Sequence, residues 1–392
     1  MSFSDILNEL AQDKSRRISA KVPQWAGIDG LEFPTLLCTE QCSSSEAAFL
    51  KAEAARELLR EARPGSEDCA VADLTGGIGV DSWAFSRSFS HVLHNEKDSA
   101  LSKAAERNFR ILGADGIEIS NCEVNAGNAG AILDAFFFRY DCPRLVYLDP
   151  ARRSSGGEKV FRIKDCTPNI LELLPVILKD GALAIVKLSP MADIDRCVIE
   201  IEEALGHRAV REVRCIGVNG ECKELLFLLD AENDTPVRIT VRDGGFRFSF
   251  TREEESAARA TFPQEGDMRG WLFEPGAALA KSGGFKLLSE RFSLVKMAVS
   301  TQLYLSGEFI PELADAGRWF SVIEALPFCN ESLRRISRDC PRCEVSSRNL
   351  PVRSDELRKR LDARSGGDIH IFGLLAETAA GPERLLLVCR KR

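Results

Sequence analysis

Histidine is scarce in this chain, four residues in 392, and the scarcity narrows the chemistry before any motif is read. Metal sites built on imidazole have few donors to draw on. One Cys-x-x-Cys pair, Cys340 to Cys343 in "CPRC", has no second close pair to complete a tetrahedral set, so the spacing reads as a turn and no metal is expected. Long apolar runs are missing too. The opening "MSFSDILNELAQDKSRRISA" mixes charges of both signs where a signal peptide needs an apolar stretch, and no later segment approaches ~20 uninterrupted apolar residues. The expectation is a cytoplasmic protein with no membrane partner. There is no repeat of fixed period and no low-complexity segment.

What is present is a chain with 44% hydrophobic residues, long enough to bury a sizeable core and to form two or three domains. Its thirteen cysteines are scattered singly, which suits small buried hydrophobes kept reduced better than a disulfide framework. The net charge of −7 is unevenly spread. Residues 331 to 392 hold 14 Lys and Arg against 9 Asp and Glu, a net of +5, which leaves −12 on the rest. A charge run is most often a solvated face, yet a basic module on an acidic body is also a recurrent RNA handle.

Four segments follow from texture. Residues 1–66 read as an N-terminal helical region: "SSSEAAFLKAEAARELLREARPG" has a capping-box pattern in Ser43 and Glu46, strong helix formers, and a Pro64-Gly65 stop. In 67–232, short apolar runs ("CAVADL", "HVLHNE", "RLVYLD", "ALAIVKLS") alternate with helical patterns, which predicts an α/β domain with a mainly parallel sheet. Its last runs, "VREVRCIGV" and "ELLFLLD", are separated by "NGECK" and read as an antiparallel hairpin. Within it Glu221, Lys223 and Glu224 read as a solvated turn, with pocket closure as the competing reading. Residues 233–290 read as a small α+β module, and 291–392 as a second small unit carrying two basic helices.

"VADLTGGIGVDSWAFS" sets Asp73 at the end of the first strand, followed by Thr75, Gly76, Gly77, Gly79 and a helix. Glycines there let the backbone turn sharply and approach a ligand closely. A dinucleotide fingerprint starting at Gly77 needs a glycine at Ser82, and a P-loop needs a Lys-Ser/Thr pair that is absent, so a nicotinamide oxidoreductase is disfavoured. An acid, two residues and a glycine-rich loop resemble motif I of the class I S-adenosylmethionine-dependent methyltransferases, whose Rossmann-like sheet this resemblance implies. It further implies S-adenosyl-L-methionine as cofactor, with Asp73, Thr75 and the three glycines at its methionine part. Glu96, ending the second strand beside Lys97, falls where the family keeps an acid for the ribose hydroxyls. Asn128 falls where the family often has an acid near adenine.

The fourth strand runs into "LDPARR": Asp149, Pro150, Ala151, Arg152, Arg153. Methyl transfer asks the protein to align a nucleophile and exclude water. Asp149 and the Pro150 carbonyl suit an exocyclic amine, accepting its two hydrogens, and the stretch resembles the Asp/Asn-Pro-Pro-aromatic motif of amino-methylating nucleic-acid methyltransferases. Here Ala151 replaces the second proline and Arg152 the stacking aromatic. The two guanidinium groups of Arg152 and Arg153 can stack on a base or clamp phosphate; alternatively Arg152 pairs with Asp149 to shape the loop. Uracil-carbon chemistry would require a nucleophilic cysteine for which no motif exists. Lys187, in "IVKLSPM" at the end of the fifth strand, falls beside the same crevice, either to neutralise substrate phosphate or as a surface lysine.

The phrases "SSRNLPV" and "GGDIHIF" resemble the THUMP-like C-terminal domain of bacterial class I methyltransferases, preceded by a ferredoxin-like module. This resemblance implies an RNA partner, transfer or ribosomal; from their charge, Arg348, Arg358, Lys359, Arg360 and Arg364 are the candidate phosphate contacts. The alternative is an RNA-binding protein that keeps the cofactor fold without catalysis.

Overall fold

The computed structural model describes residues 3–152, 163–179, 181–264, 268–378 and 381–392. Two compact units emerge, residues 1–218 with 223–238 and residues 219–222 with 239–392.

The first unit opens with helices α1 (Phe3–Lys21), α2 (Leu36–Gln41) and α3 (Ser45–Ala62). The α3 cap is Ser44, whose hydroxyl accepts from the Ala47 amide at 3.3 Å. The capping pattern is thus displaced by one residue from Ser43, which faces the interior instead. Then follow β1 (Ala70–Asp73), α4 (Val80–Ser86), β2 (His91–Asn95), α5 (Ser99–Ile111), β3 (Ile117–Ser120), α6 (Ala129–Phe137) and β4 (Arg144–Leu148). A short pair, β5 (Ala151–Arg152) and β6 (Cys166–Thr167), precedes α7 (Ile170–Leu178), β7 (Leu183–Leu188), α8 (Ile194–Leu205), β8 (Val210–Val218) and β9 (Glu221–Asp230).

These strands lie in the order β8-β9-β7-β4-β1-β2-β3. The five from β7 to β3 are mutually parallel, and β9 runs antiparallel to β7. The sheet is Rossmann-like, as its alternating texture predicts. Strands such as Leu145 to Leu148 and Leu183 to Val186 are apolar throughout because helices bury both faces. Ile18, Trp25 and the inner residues of α3 (Ala48, Ala52, Ala55, Leu59) share one core with Val71, Tyr147 and Ile185 of the sheet. In a parallel sheet every strand delivers its last residue to the same edge, so Asp73, Glu96, Asp149 and Ser189 arrive together at the ends of β1, β2, β4 and β7.

The second unit starts with the hairpin β10 (Arg238–Asp243) and β11 (Phe246–Thr251), then α9 (Arg252–Ala257). Next come β12 (Trp271–Pro275), α10 (Ala277–Ser282), α11 (Phe285–Arg291), β13 (Val295–Lys296), β14 (Tyr304–Ser306) and β15 (Gly317–Pro327). The chain ends with α12 (Asn330–Asp339), β16 (Glu344–Arg348), α13 (Ser354–Arg360), β17 (Ile369–Thr378) and β18 (Gly381–Lys391). Strands β12 to β18 form one sheet, β13-β14-β12-β15-β18-β17-β16. Helices α12 and α13 pack on it through Leu333, Ile336 and Leu357.

Candidate active site

At the carboxyl edge of the first unit lies a crevice of about 580 Å³, within the size range of small-molecule sites. Thr75 to Asp81, Glu96, Lys97, Asp149, Pro150 and Lys187 line it. The structure therefore gathers most of the catalytic and cofactor candidates at one place.

Asp73 does not line it. Its carboxylate is buried and anchors the loop from below, accepting from the Thr75 amide at 3.1 Å and the Ser82 hydroxyl at 2.6 Å. Ser82 in turn lies 2.9 Å from His94 Nδ1; with the hydroxyl proton given to Asp73, Nδ1–H donates to Ser82. Burial pushes Asp73 up to about 8, against the Ser82 bond that favours its charge, and burial pushes His94 down to about 3. Ser82, the residue that breaks the dinucleotide fingerprint, is thus the link between two buried polar groups.

The three glycines serve different ends. A Cβ at Gly76 would overlap the His94 ring, and one at Gly79 would overlap Phe109, so both are required by rings packed beneath the loop. Gly79 also has φ +92°. Gly77, at φ +56°, would place a Cβ in open space; its requirement is conformational, and its backbone stays bare for close approach.

Glu96 accepts the Gly77 amide at 2.9 Å on Oε2 and the Asp98 amide at 2.8 Å on Oε1, which fixes its carboxylate against the loop. Asn128 is spent locally: it accepts from the Asn125 amide at 2.8 Å and donates to the Glu123 carbonyl at 2.9 Å. Cys122, Glu123 and Val124 line the crevice nearby.

At the other end, Thr75 Oγ1 accepts the Asp149 amide at 2.6 Å and so couples the glycine loop to β4. Lys187 Nζ lies 2.9 Å from both Asp149 oxygens. The side chains are about a quarter exposed, 22% and 26%, so the pair is neither dry nor fully screened. Among the described residues Lys187 is thus the ion partner of Asp149, and the pairing with Arg152 that the sequence also offers falls on a side chain outside them. The Arg152 backbone pairs with Cys166 across β5 and β6; its side chain, and all of Arg153, lie outside the described residues.

A cluster beneath the crevice went unread in the sequence. Lys51, on α3, has a fully buried ammonium that donates to Ser43 Oγ at 2.6 Å and Asp81 at 2.9 and 3.1 Å. Glu224 Oε2 lies 3.1 Å away, at ion-pair distance. The Tyr147 hydroxyl and Ser43 also donate to Asp81, at 3.2 and 3.0 Å. Burial opposes the Lys51 charge, but Asp81, Glu224 and Asp149 outweigh it and hold the ammonium above the usual lysine range. Burial raises the Glu224 carboxyl, against Lys51. Glu224 is therefore no solvated turn residue. Cys38, Gln41, Cys42 and Ser43 complete the wall, so α2 and its exit loop belong to the site. Their only sequence signal was a lysine on the apolar face of α3.

In the second unit, Arg348 binds Glu274 at 2.6 Å, Arg358 lies 3.9 Å from Glu344 and 3.6 Å from Asp355, and Arg360 binds Glu356 at 2.5 Å. Among the described residues Lys359 and Arg364 make no ion pair. Also among the described residues, no three His, Cys, Asp or Glu side chains group as a metal site, and no helix is long and apolar enough to cross a membrane. All thirteen cysteines are free.

Residues 271–313 match the family model of a ferredoxin-like domain, and 317–391 that of a THUMP domain-like family. The crystal structure of a "putative methyltransferase" from Porphyromonas gingivalis W83 is similar over 97% of this chain and 89% of its own, with 28% identity and a TM-score of 0.80. The chain has the fold of a class I methyltransferase. A T. thermophilus 16S rRNA methyltransferase solved with AdoMet and guanosine shares 14% identity over 48% of this chain and 43% of its own, TM-score 0.32. A SAM dependent methyltransferase from Aquifex aeolicus shares 13% over 51% and 99%, TM-score 0.32. No curated protein matches the chain.

Proposed function

We propose that this methyltransferase uses S-adenosylmethionine to methylate an RNA base, at an exocyclic amine. The observation that carries the reading is the convergence, on one crevice, of the Glu96-braced glycine loop and the Asp149-Pro150 strand end with Lys187. The residues present fit the cofactor. Glu96 offers a fixed carboxylate to vicinal hydroxyls, Gly77 offers backbone without a side chain, and Ser43 and Asp81 offer polar groups to an amino-acid tail. When bound, the cofactor supplies a methyl group on a cationic sulfur.

The chain's own part is orientation and proton handling. Asp149 Oδ and the Pro150 carbonyl accept the two amine hydrogens, which directs the nitrogen lone pair along the line of displacement. The surplus proton left on the amine nitrogen would have Asp149 Oδ as its acceptor, the departing C–S electron pair going to the bound cofactor's sulfur. Lys187 keeps that carboxylate in place and, among the described residues, is the side chain bonded to its oxygens, so each has a second lone pair to offer. The RNA assignment is supported by the THUMP-like match and the net +5 of residues 331 to 392.

The test is transfer of a labelled methyl group to total transfer RNA and ribosomal RNA from cells lacking the gene. Wild-type protein should label one RNA class, and Asp149→Ala should lower the rate by roughly a hundredfold or more with cofactor affinity retained. Equal labelling by Asp149→Ala would remove that residue from the chemistry. Cofactor binding without label in any RNA would remove RNA as the acceptor.

A further inference from the structure

We infer that Arg342 and Arg364 form the phosphate-gripping point of the second unit, a pair that docks an RNA backbone. The inference rests on the RNA reading above and names the surface. Arg342 and Arg364 are directly paired in an isolated parallel bridge, closed by the Arg364 amide on the Pro341 carbonyl and the Cys343 amide on the Arg364 carbonyl, both at 2.9 Å. Residues paired across a bridge send their side chains to the same face, so two arginines, both exposed, project from one face.

Like charges set directly opposite each other destabilise a fold, and no counter-ion among the described residues offsets them. Among the described residues neither arginine makes an ion pair or a side-chain hydrogen bond. The adjacent acid, Glu344, is occupied by Ser365 at 2.6 Å and Arg358 at 3.9 Å, and Asp368 pairs with neither arginine. An uncompensated arginine pair is what a bound anion would neutralise.

The Arg342 guanidinium also lies against the glycine turn. A Cβ at Gly366 would come within 2.8 Å of Nε and 3.0 Å of Nη2, so the group lies across the bare glycine, whose φ of +112° itself favours glycine. Lys391 reaches the same loop, 3.4 Å from the Gly367 carbonyl, and adds a third exposed cation. The paired state of Arg348, Arg358 and Arg360, by contrast, leaves them little to offer. Each would have to release a carboxylate before gripping a phosphate.

Direct evidence would come from the full-length chain and total transfer RNA or ribosomal RNA, with fluorescence anisotropy read across a salt series. Loss of two phosphate contacts should lower the slope of log affinity against log salt by about 1.4–1.8 in Arg342→Gln/Arg364→Gln, and raise Kd in the same direction for every RNA bound. Arg360→Gln should retain the wild-type slope. Polyglutamate serves as competitor. If the double variant keeps the wild-type slope while wild type binds RNA, the surface is misassigned and the RNA reading survives. If wild type binds neither RNA, or polyglutamate displaces RNA as well as RNA itself does, the RNA reading falls and this inference with it. Retained cofactor binding by the double variant excludes misfolding of the first unit as the cause.

Discussion

Gly76→Ala should push the glycine loop off its pedestal, and the effect should vanish when the pedestal is removed. A methyl at 76 overlaps the His94 ring. That ring has no room to yield: it is buried, bonded to Ser82 at 2.9 Å and set edge-on against Phe109 with centroids 5.2 Å apart. Overpacking of this kind costs about 1–3 kcal/mol. Because φ at Gly76 is not positive, alanine meets no backbone strain and regains about 0.4–1 kcal/mol through the unfolded chain, for a net loss of up to about 2.6 kcal/mol. His94→Ala should cost about 2–4 kcal/mol as a cavity with a lost hydrogen bond. In the double variant the methyl enters space the ring has vacated, so the losses should fall short of additive by about 1–3 kcal/mol. Urea unfolding of the four proteins closes the cycle. Gly77→Ala supplies the contrast, since its Cβ meets nothing within 4 Å and its left-handed strain should add to His94→Ala independently. Additivity within about 0.5 kcal/mol in the Gly76 cycle would refute the steric account of this motif.

Two further outcomes concern buried charge. Lys51→Met leaves Asp81 and Glu224 without their counter-ion and should cost about 3–5 kcal/mol; the deficit should shrink in acid, because a carboxyl raised by burial keeps a proton that the unfolded chain releases, and urea midpoints at pH 5 and pH 8 that fall equally would contradict it. Asp73 and His94 oppose each other in pH. With Asp73 at about 8 in the fold against 3.8 unfolded, the folded state retains a proton between those values, so stability falls as pH rises across them. With His94 at about 3 against 6.5, the unfolded chain takes up a proton the fold refuses, so stability falls as pH drops below 6.5. From about pH 4 to 6.5 the two slopes cancel, leaving an alkaline decline toward pH 8 that belongs to Asp73. Asp73→Asn should remove that decline in midpoints measured at pH 6.5 and 8.5, and an unchanged decline would assign it elsewhere.

The parallel sheet was legible because burial on both faces writes a strand as an unbroken apolar run, as in "RLVYLD" and "ALAIVKLS", and because glycines punctuate its first turn. The strand ends then follow from geometry: Glu96, Asp149 and Lys187 share one edge of the sheet, and they meet at one crevice. Glycine itself was legible as a residue without a side chain, but not as to which side needs the space. Ligand approach and ring packing demand the same residue, and only the positions of His94 and Phe109 show that Gly76 and Gly79 answer to the protein's interior. Charge was read least well. Arg348, Arg358 and Arg360 count the same as Arg342 and Arg364 in a net charge, yet their carboxylate partners lie up to 74 residues away in the chain, as Glu274 does from Arg348.

Lys51 shows why such a cluster escapes a linear reading. In "AAFLKAEAARELL" a lysine on an amphipathic helix is ordinarily solvated, and its partners Asp81 and Glu224 sit 30 and 173 positions further along, on α4 and β9. Burial of three charges costs more than their mutual attraction returns unless each is hydrogen-bonded, so the cluster stands only while α3, α4, β4 and β9 are all in place around Asp81. Asp81 opens the helix that follows the glycine loop, and Ser43 belongs both to the cluster and to the crevice wall. The N-terminal helices therefore set the position of the loop as well as covering it. Any movement of α3 relative to the sheet would be felt at the cofactor end of the crevice before it reached Asp149.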